Sequence, residues 1–301
     1  MNMQRLMAGE FFKLRKRMMT WILAAIIVGL IVLLYSILWS LSGRAGGYFD
    51  RDLGRRVGYA ELRRGIFLQA GVPFALQIIA QFGSLLAVIF AAGAAGSEYS
   101  WGTVRLMATA SSGRLRLITA RLIVVCVMVA LGTLLAVTVA LIYSAVITTY
   151  YGGADFSFIT GTFLREQGLS WLRTIYVMAP YVSLAFAAAV IGRSTLAGVG
   201  VGLAVSFLEP LIGNLMRLGG PRWESVPNYL ISANRSVVLA QNKLPAGLPE
   251  FSFGPSKREL ERQGAFSPEH AALTLAIYTV AFLVAAFVVY RRRDITSASN
   301  G

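Results

Sequence analysis

The chain has 301 residues, of which 56% are hydrophobic and 14% charged, with a formal net charge of +14. Its apolar residues form long uninterrupted blocks instead of the short amphipathic stretches of a water-soluble core, which excludes a soluble globular domain. The blocks lack strand-like alternation. That excludes a transmembrane barrel and leaves helices, the other structure that satisfies its own backbone in lipid. The single cysteine, Cys126, rules out an intrachain disulfide or a thiol metal cluster, and the single histidine, His270, has no neighbouring zinc ligand.

A bilayer core about 30 Å thick needs roughly 20 mostly apolar residues per helix. Six blocks of that length, at 21–41, 72–95, 118–147, 172–192, 195–216 and 271–290, predict an all-α polytopic membrane protein built as one transmembrane domain over 1–301. Before the first block, Met3, Leu6, Met7, Phe11, Leu14 and Met18 recur at helical spacing, while Arg5, Lys13, Arg15, Lys16 and Arg17 face elsewhere. Residues 1–20 therefore read as a helix lying in the cytoplasmic interface, basic face on anionic headgroups and apolar face in the acyl boundary. The alternative is a plain basic flank without a separate helix. No small-residue cleavage site follows the first block, so it is expected to stay as a signal-anchor helix.

The excess of positive charge sorts by side. With both termini inside, Arg5, Lys13, Arg15, Lys16, Arg17, Arg105, Arg114, Arg116, Arg121, Arg193 and Arg291 to Arg293 oppose only Glu10, Glu98 and Asp294 on the inner side. The longer outer segments carry the other basic residues nearly balanced by acidic ones, among them Arg51, Arg55, Arg56, Arg63 and Arg64 with Asp50, Asp52 and Glu61. This predicts cytoplasmic termini in the plasma or inner membrane, and it accounts for the charge without a nucleic-acid partner.

Segment 96–117, between the second and third blocks, mixes capping signals with apolar residues that have no membrane to span. Ser97 is placed to cap a helix beginning near Glu98, and Ser111 or Ser112 a second one carrying Arg114, Arg116 and Arg121 into the third block. Tyr99, Trp101, Val104, Leu106 and Met107 offer apolar surface. The segment reads either as a docking knob or as an interfacial turn on lipid.

Glu98, Gly102, Thr103, Arg105 and Arg114, in the run GSEYSWGTVRLMATASSGRLRLITAR, resemble the cytoplasmic-loop signature of type-2 ABC exporter permeases. Six spans after an amphipathic elbow helix and a C-terminal Tyr290, Arg293, Asp294, Ile295 cluster agree with that family, whereas Ser111 and Arg121 stand where it commonly has proline and lysine. The resemblance implies that 96–117 holds a coupling helix fitting a separate ATPase, with two ATPase copies serving a homodimer or heterodimer of permeases. It also implies export, of a lipid-like or amphiphilic substrate to judge from the apolar spans. ATP and Mg would sit on the partner, with no cofactor or metal on this chain. None of the four lysines, Lys13, Lys16, Lys243 and Lys257, follows a glycine, so the chain has no phosphate loop of its own and is expected not to be an enzyme.

Three further features stand out. Gly198 and Gly202 form a GxxxG pair in the fifth block, suited to close packing within the protomer or across a dimer; by resemblance the dimer is favoured. Glu209 and Pro210, in its outer third, either line an exit path and break the helix or mark its solvated end. Arg193, Ser194 and Thr195 make a tight hairpin, a second ATPase contact or a basic membrane anchor. Region 217–270 carries six prolines yet keeps Trp223, Tyr229, Leu230, Val237, Val238, Leu239, Phe251 and Phe253; by resemblance it forms short helices dipping into the outer end of the pathway, with Lys257 to Gln263 a solvated helix. The competing reading is a self-sufficient secondary transporter or channel, which would need polar groups near the midplane beyond Gln77, Gln81 and Glu209. A membrane-embedded enzyme would need an acid, base or metal constellation that the sequence lacks.

Overall fold

The computed structural model describes residues 3–43, 65–100, 114–151, 156–220, 223, 225–243 and 255–292. Among these every regular element is a helix: α1 (Met3–Lys16), α2 (Met18–Gly43), α3 (Leu68–Ile78), a π turn (Ile79–Gly83), α4 (Ser84–Ser100), α5 (Arg114–Tyr150), α6 (Gly161–Gly192), α7 (Thr195–Leu218), a 3-10 turn (Val226–Tyr229), α8 (Ile231–Leu239), α9 (Lys257–Arg262) and α10 (Pro268–Arg292). Six stretches are long and apolar enough to cross a membrane: span 1 (Met18–Leu41), span 2 (Leu68–Ser97), span 3 (Leu115–Tyr150), span 4 (Gly161–Gly192), span 5 (Thr195–Leu218) and span 6 (Pro268–Arg292). Each contains one of the six expected blocks. Span 4 begins well before 172, because Thr160 caps it by accepting a hydrogen bond from the Phe163 amide at 3.2 Å.

Spans 2 and 4 form the centre. They are 67% and 61% buried, against 11–28% for the other four, whose outward faces are left for lipid or a partner chain. Span 5 lies against both central spans through its two glycines. A Cβ at Gly198 would stand 2.7 Å from the Ala185 carbonyl oxygen and 2.8 Å from the Ala92 Cβ, and one at Gly202 2.5 Å from a Val88 methyl. The close approach of this GxxxG pair is thus inside the protomer, where the sequence reading favoured a dimer face; Ala92, Ala185 and Ala189 supply the small partners it needs.

The first helix differs from expectation. Residues 3–16 are indeed helical, but the stripe expected to sink into lipid faces protein except at Met18, which is exposed: Leu6 packs with Leu117 and Ala120 of span 3, and Leu14 joins the main core. Glu10, in the same stripe as Leu6 and Leu14, is buried and accepts from Arg121 Nε at 3.0 Å. At the break between α1 and α2, Arg17 donates to Ser97 Oγ at 2.6 Å and to the Gly93 carbonyl at 3.3 Å. Ser97 is therefore an interior residue of α4 taken up by Arg17, not the expected helix cap; α4 runs on without interruption to Ser100.

At the other end of spans 1 and 3, Trp39 Nε1 donates to the Tyr151 hydroxyl at 3.2 Å, and Tyr150 and Phe67 pack around it. Such amphipathic rings favour a membrane-water boundary.

Candidate functional site

A cavity of about 1020 Å³ lies between spans 2, 4 and 5 and the segments 227–243 and 255–263. Gln77 and Gln81 face it from span 2, Gln167 and Ser170 from span 4, and Pro210, Asn214 and Arg217 from span 5. In span 2, Gln81 precedes Glu98 by 17 residues, about 25 Å at 1.5 Å per residue, so the cavity and the Glu98 end of this helix lie far apart along the bundle.

Helix α8 roofs the cavity, and two charged residues hold it there. The residue before α8, Leu230, offers no side-chain cap, and Glu209 of span 5 fills that role by accepting the Ile231 amide hydrogen bond. A carboxylate at the positive end of a helix dipole is stabilised there. One turn further on, Arg235 donates across the cavity to the Ala80 carbonyl and, at 3.4 Å, to Gln81 Oε1, with its guanidinium 5.9 Å from the centre of the Tyr181 ring. Ala80 and Gln81 belong to the π turn, where the ordinary helical ladder is disturbed and a carbonyl can take an outside donor. Burial pulls the Arg235 guanidinium below its ordinary value, and Tyr181 and Glu209 nearby oppose that shift. Asn234 fastens the same helix from below, donating to the Asn228 and Leu230 carbonyls at 2.8 Å.

The walls carry polar atoms that protein alone does not satisfy. Gln77 Oε1, Gln167 Oε1, Ser170 Oγ, Asn242 Oδ1 and Arg217 Nε are buried without a hydrogen-bond partner among the described residues, and all five residues line the cavity. An unmet buried polar group costs about 1–3 kcal/mol, so five gathered on one space are suited to water or to the polar part of a guest. Four cations line the same space, Arg217, Arg235, Lys243 and Lys257, against one lining carboxylate, Glu259. Only Lys243 has a carboxylate at ion-pair distance among the described residues, Glu166 at 2.6 Å. No group of three His, Cys, Asp or Glu that could hold a metal ion occurs among the described residues.

Of the residues singled out in the sequence, Pro210 lines the cavity and Glu209 anchors its roof. The helix neither breaks nor ends at this pair, since α7 continues to Leu218. Glu98 lies in the last turn of α4 and Arg114 opens α5, whereas Gly102, Thr103 and Arg105 lie outside the described residues. Sequence reasoning missed Arg217 and Arg235 as cavity residues and the Glu10–Arg121 pair. The last had a signal: Leu6, Glu10 and Leu14 share one i, i+4, i+8 row, so the carboxylate sits within an apolar stripe.

Fold and site define a six-span, all-helical membrane protein with a polar cavity at one end of the bundle. The chain belongs to the family described as "Protein of unknown function (DUF2705)", whose model matches residues 51–296. No curated protein matches it.

Proposed function

We propose that this chain is the membrane-spanning permease subunit of an ATP-driven ABC transporter, exporting a lipid-like or amphiphilic substrate. The observation that carries this reading is the two-ended arrangement of span 2. Its outer half lines a polar cavity under a pinned helix, and its other end leads into the Glu98, Gly102, Thr103, Arg105 and Arg114 signature. Spans 2 and 4 are the buried centre, so a push on the loop is delivered to the helices that line the cavity. ATP and Mg belong to a separate ATPase, two copies of which drive a homodimer or heterodimer of permeases; this chain is not itself an enzyme. The apolar outer faces of spans 1, 3, 5 and 6 leave room for a second permease and for lipid.

Affinity purification of the tagged chain in mild detergent is expected to bring down an ATPase carrying a phosphate loop, in stoichiometric amount and with ATP hydrolysis. Charge reversal at Glu98 or Arg105 should remove both while membrane insertion continues. A chain that purifies alone, without ATPase activity, would shift the function to a self-sufficient secondary transporter.

Both termini lie in the cytoplasm on this reading, which puts the cavity on the outer side of a plasma or inner membrane. With the exposed Cys126 replaced by alanine, a cysteine at Ser252 should react with an impermeant thiol reagent applied outside, and one at Ser112 should react only after permeabilisation. The reverse labelling pattern would invert the topology.

A further inference from the structure

We infer that the cavity beneath α8 binds a phosphate-type anionic headgroup, with Arg217, Lys257 and the amides of spans 2 and 4 as its contacts. The substrate role of this site rests on the permease reading; the binding does not.

Charge and hydrogen bonding lead to the anion. Arg217 spends its terminal nitrogens on two neutral acceptors, Gln263 Oε1 and, at 3.4 Å, Asn228 Oδ1, and its buried Nε has no partner. Its positive charge thus meets no carboxylate at ion-pair distance among the described residues. Lys257 lines the same cavity and has no ion pair among the described residues. Among the described residues the acidic groups close by are engaged or open to solvent: Glu209 caps α8, Glu166 pairs with Lys243, and Glu259, which also lines the cavity, is exposed. Arg217 is half-buried with its Nε shielded and Lys257 is exposed, and an oxyanion in the cavity can take charge-assisted bonds from both. Gln77 and Gln167 each bring an amide whose oxygen is unsatisfied, suited to accepting from the hydroxyls of a polyol head.

Shape adds the rest of the guest. Leu76, Ala80, Leu230 and Leu239 line the cavity among its polar residues, and its volume of about 1020 Å³ exceeds what a lone phosphate fills. A headgroup with the first part of an apolar chain matches both the size and the mixed lining.

The test is calorimetric titration of the full chain in non-ionic detergent with dihexanoyl phosphatidylglycerol, dihexanoyl phosphatidylcholine and inorganic phosphate. The anionic lipid should bind about tenfold more tightly than the zwitterionic one, the size of one charge-assisted contact. K257Q, at an exposed position, and R217Q should each remove most of that preference while the thermal midpoint of K257Q stays at the parent value. Inorganic phosphate binding as well as the anionic lipid would keep the anion site and overturn the amphiphile as its source. Equal binding of both lipids, or a preference unchanged in both variants, would overturn the inference. Because this measurement needs no ATPase, anion selectivity in a chain that recruits no ATPase would retire the permease reading and leave the site; recruitment without selectivity would do the opposite.

Discussion

Alanine at Gly96 is expected to lower the thermal midpoint of the detergent-solubilised chain and to uncouple any bound ATPase. A Cβ there would fall 2.3 Å from the Thr195 backbone nitrogen, 2.5 Å from its Cα and 2.7 Å from its Oγ1. These are mostly backbone atoms, and the hairpin that holds them cannot step aside. Arg193 is in the left-handed region at φ 50°, and Ser194 caps span 5 by accepting from the Leu196 amide at 3.1 Å. Forcing the two helices apart should cost about 3 kcal/mol, the upper part of the usual overpacking range. Gly200 is the control, since a Cβ there meets nothing within 4 Å and alanine gains up to about 1 kcal/mol of helix propensity. Fluorescence-detected size exclusion after a heating series compares the two. G96A as stable as G200A would mean that the end of span 2 and the 193–195 hairpin do not pack backbone on backbone. The contact also bears on function, because it lies two residues before Glu98 and ties the loop end of span 2 to span 5. Motion of the loop would then reach span 5, and with it Glu209 and the roof of the cavity.

Spans were legible because bilayer thickness imposes a length that a run of apolar residues either meets or does not. Their ends were less so: span 4 starts at Gly161, where Arg165 and Glu166 depress the hydropathy while Thr160 still caps a helix. The face of a membrane helix is harder to read, since lipid and protein interior are equally apolar. The stripe of α1 therefore pointed to lipid in the sequence and to span 3 in the structure. For the same reason the Gly198 and Gly202 pair signalled a close contact without saying with which helix. Glu209 was visible as a costly residue at membrane depth, but its partner, the Ile231 amide, is a backbone group 22 residues on that no side-chain pattern marks. Arg235 sits among Ile231, Val237 and Val238 in a stretch that reads as a short loop helix, and only the fold brings it against the π turn.

Removing the carboxylate of Glu10 is expected to be among the most damaging single changes in the chain, more so than the loss of any surface ion pair. Glu10 and Arg121 are 6% and 5% exposed, and their bond spans α1 and the entry of span 3. Taking one partner from this pair removes its short buried bond and, with Arg121 gone, leaves the Glu10 carboxylate to Lys13 at 3.7 Å, a loss of up to about 3–5 kcal/mol. E10A and R121A should each lower the thermal midpoint sharply, whereas E10L combined with R121M, which removes both charges and keeps the volume, should recover much of the loss. A loss in the double variant equal to the summed losses of E10L and R121M measured singly would show that the pair contributes no coupling, a quantity the double-mutant cycle reads directly. The same variants also separate packing from transmission. Glu10 fixes α1 to span 3 just after Arg114, and Arg17 fixes its end to Ser97 just before Glu98, so the two anchors straddle the segment 101–113. If that segment receives a push from an ATPase, α1 is the strut that makes spans 2 and 3 answer together. The folded E10L/R121M variant, with the strut held by apolar contact alone, should then retain ATPase binding and lose part of its transport.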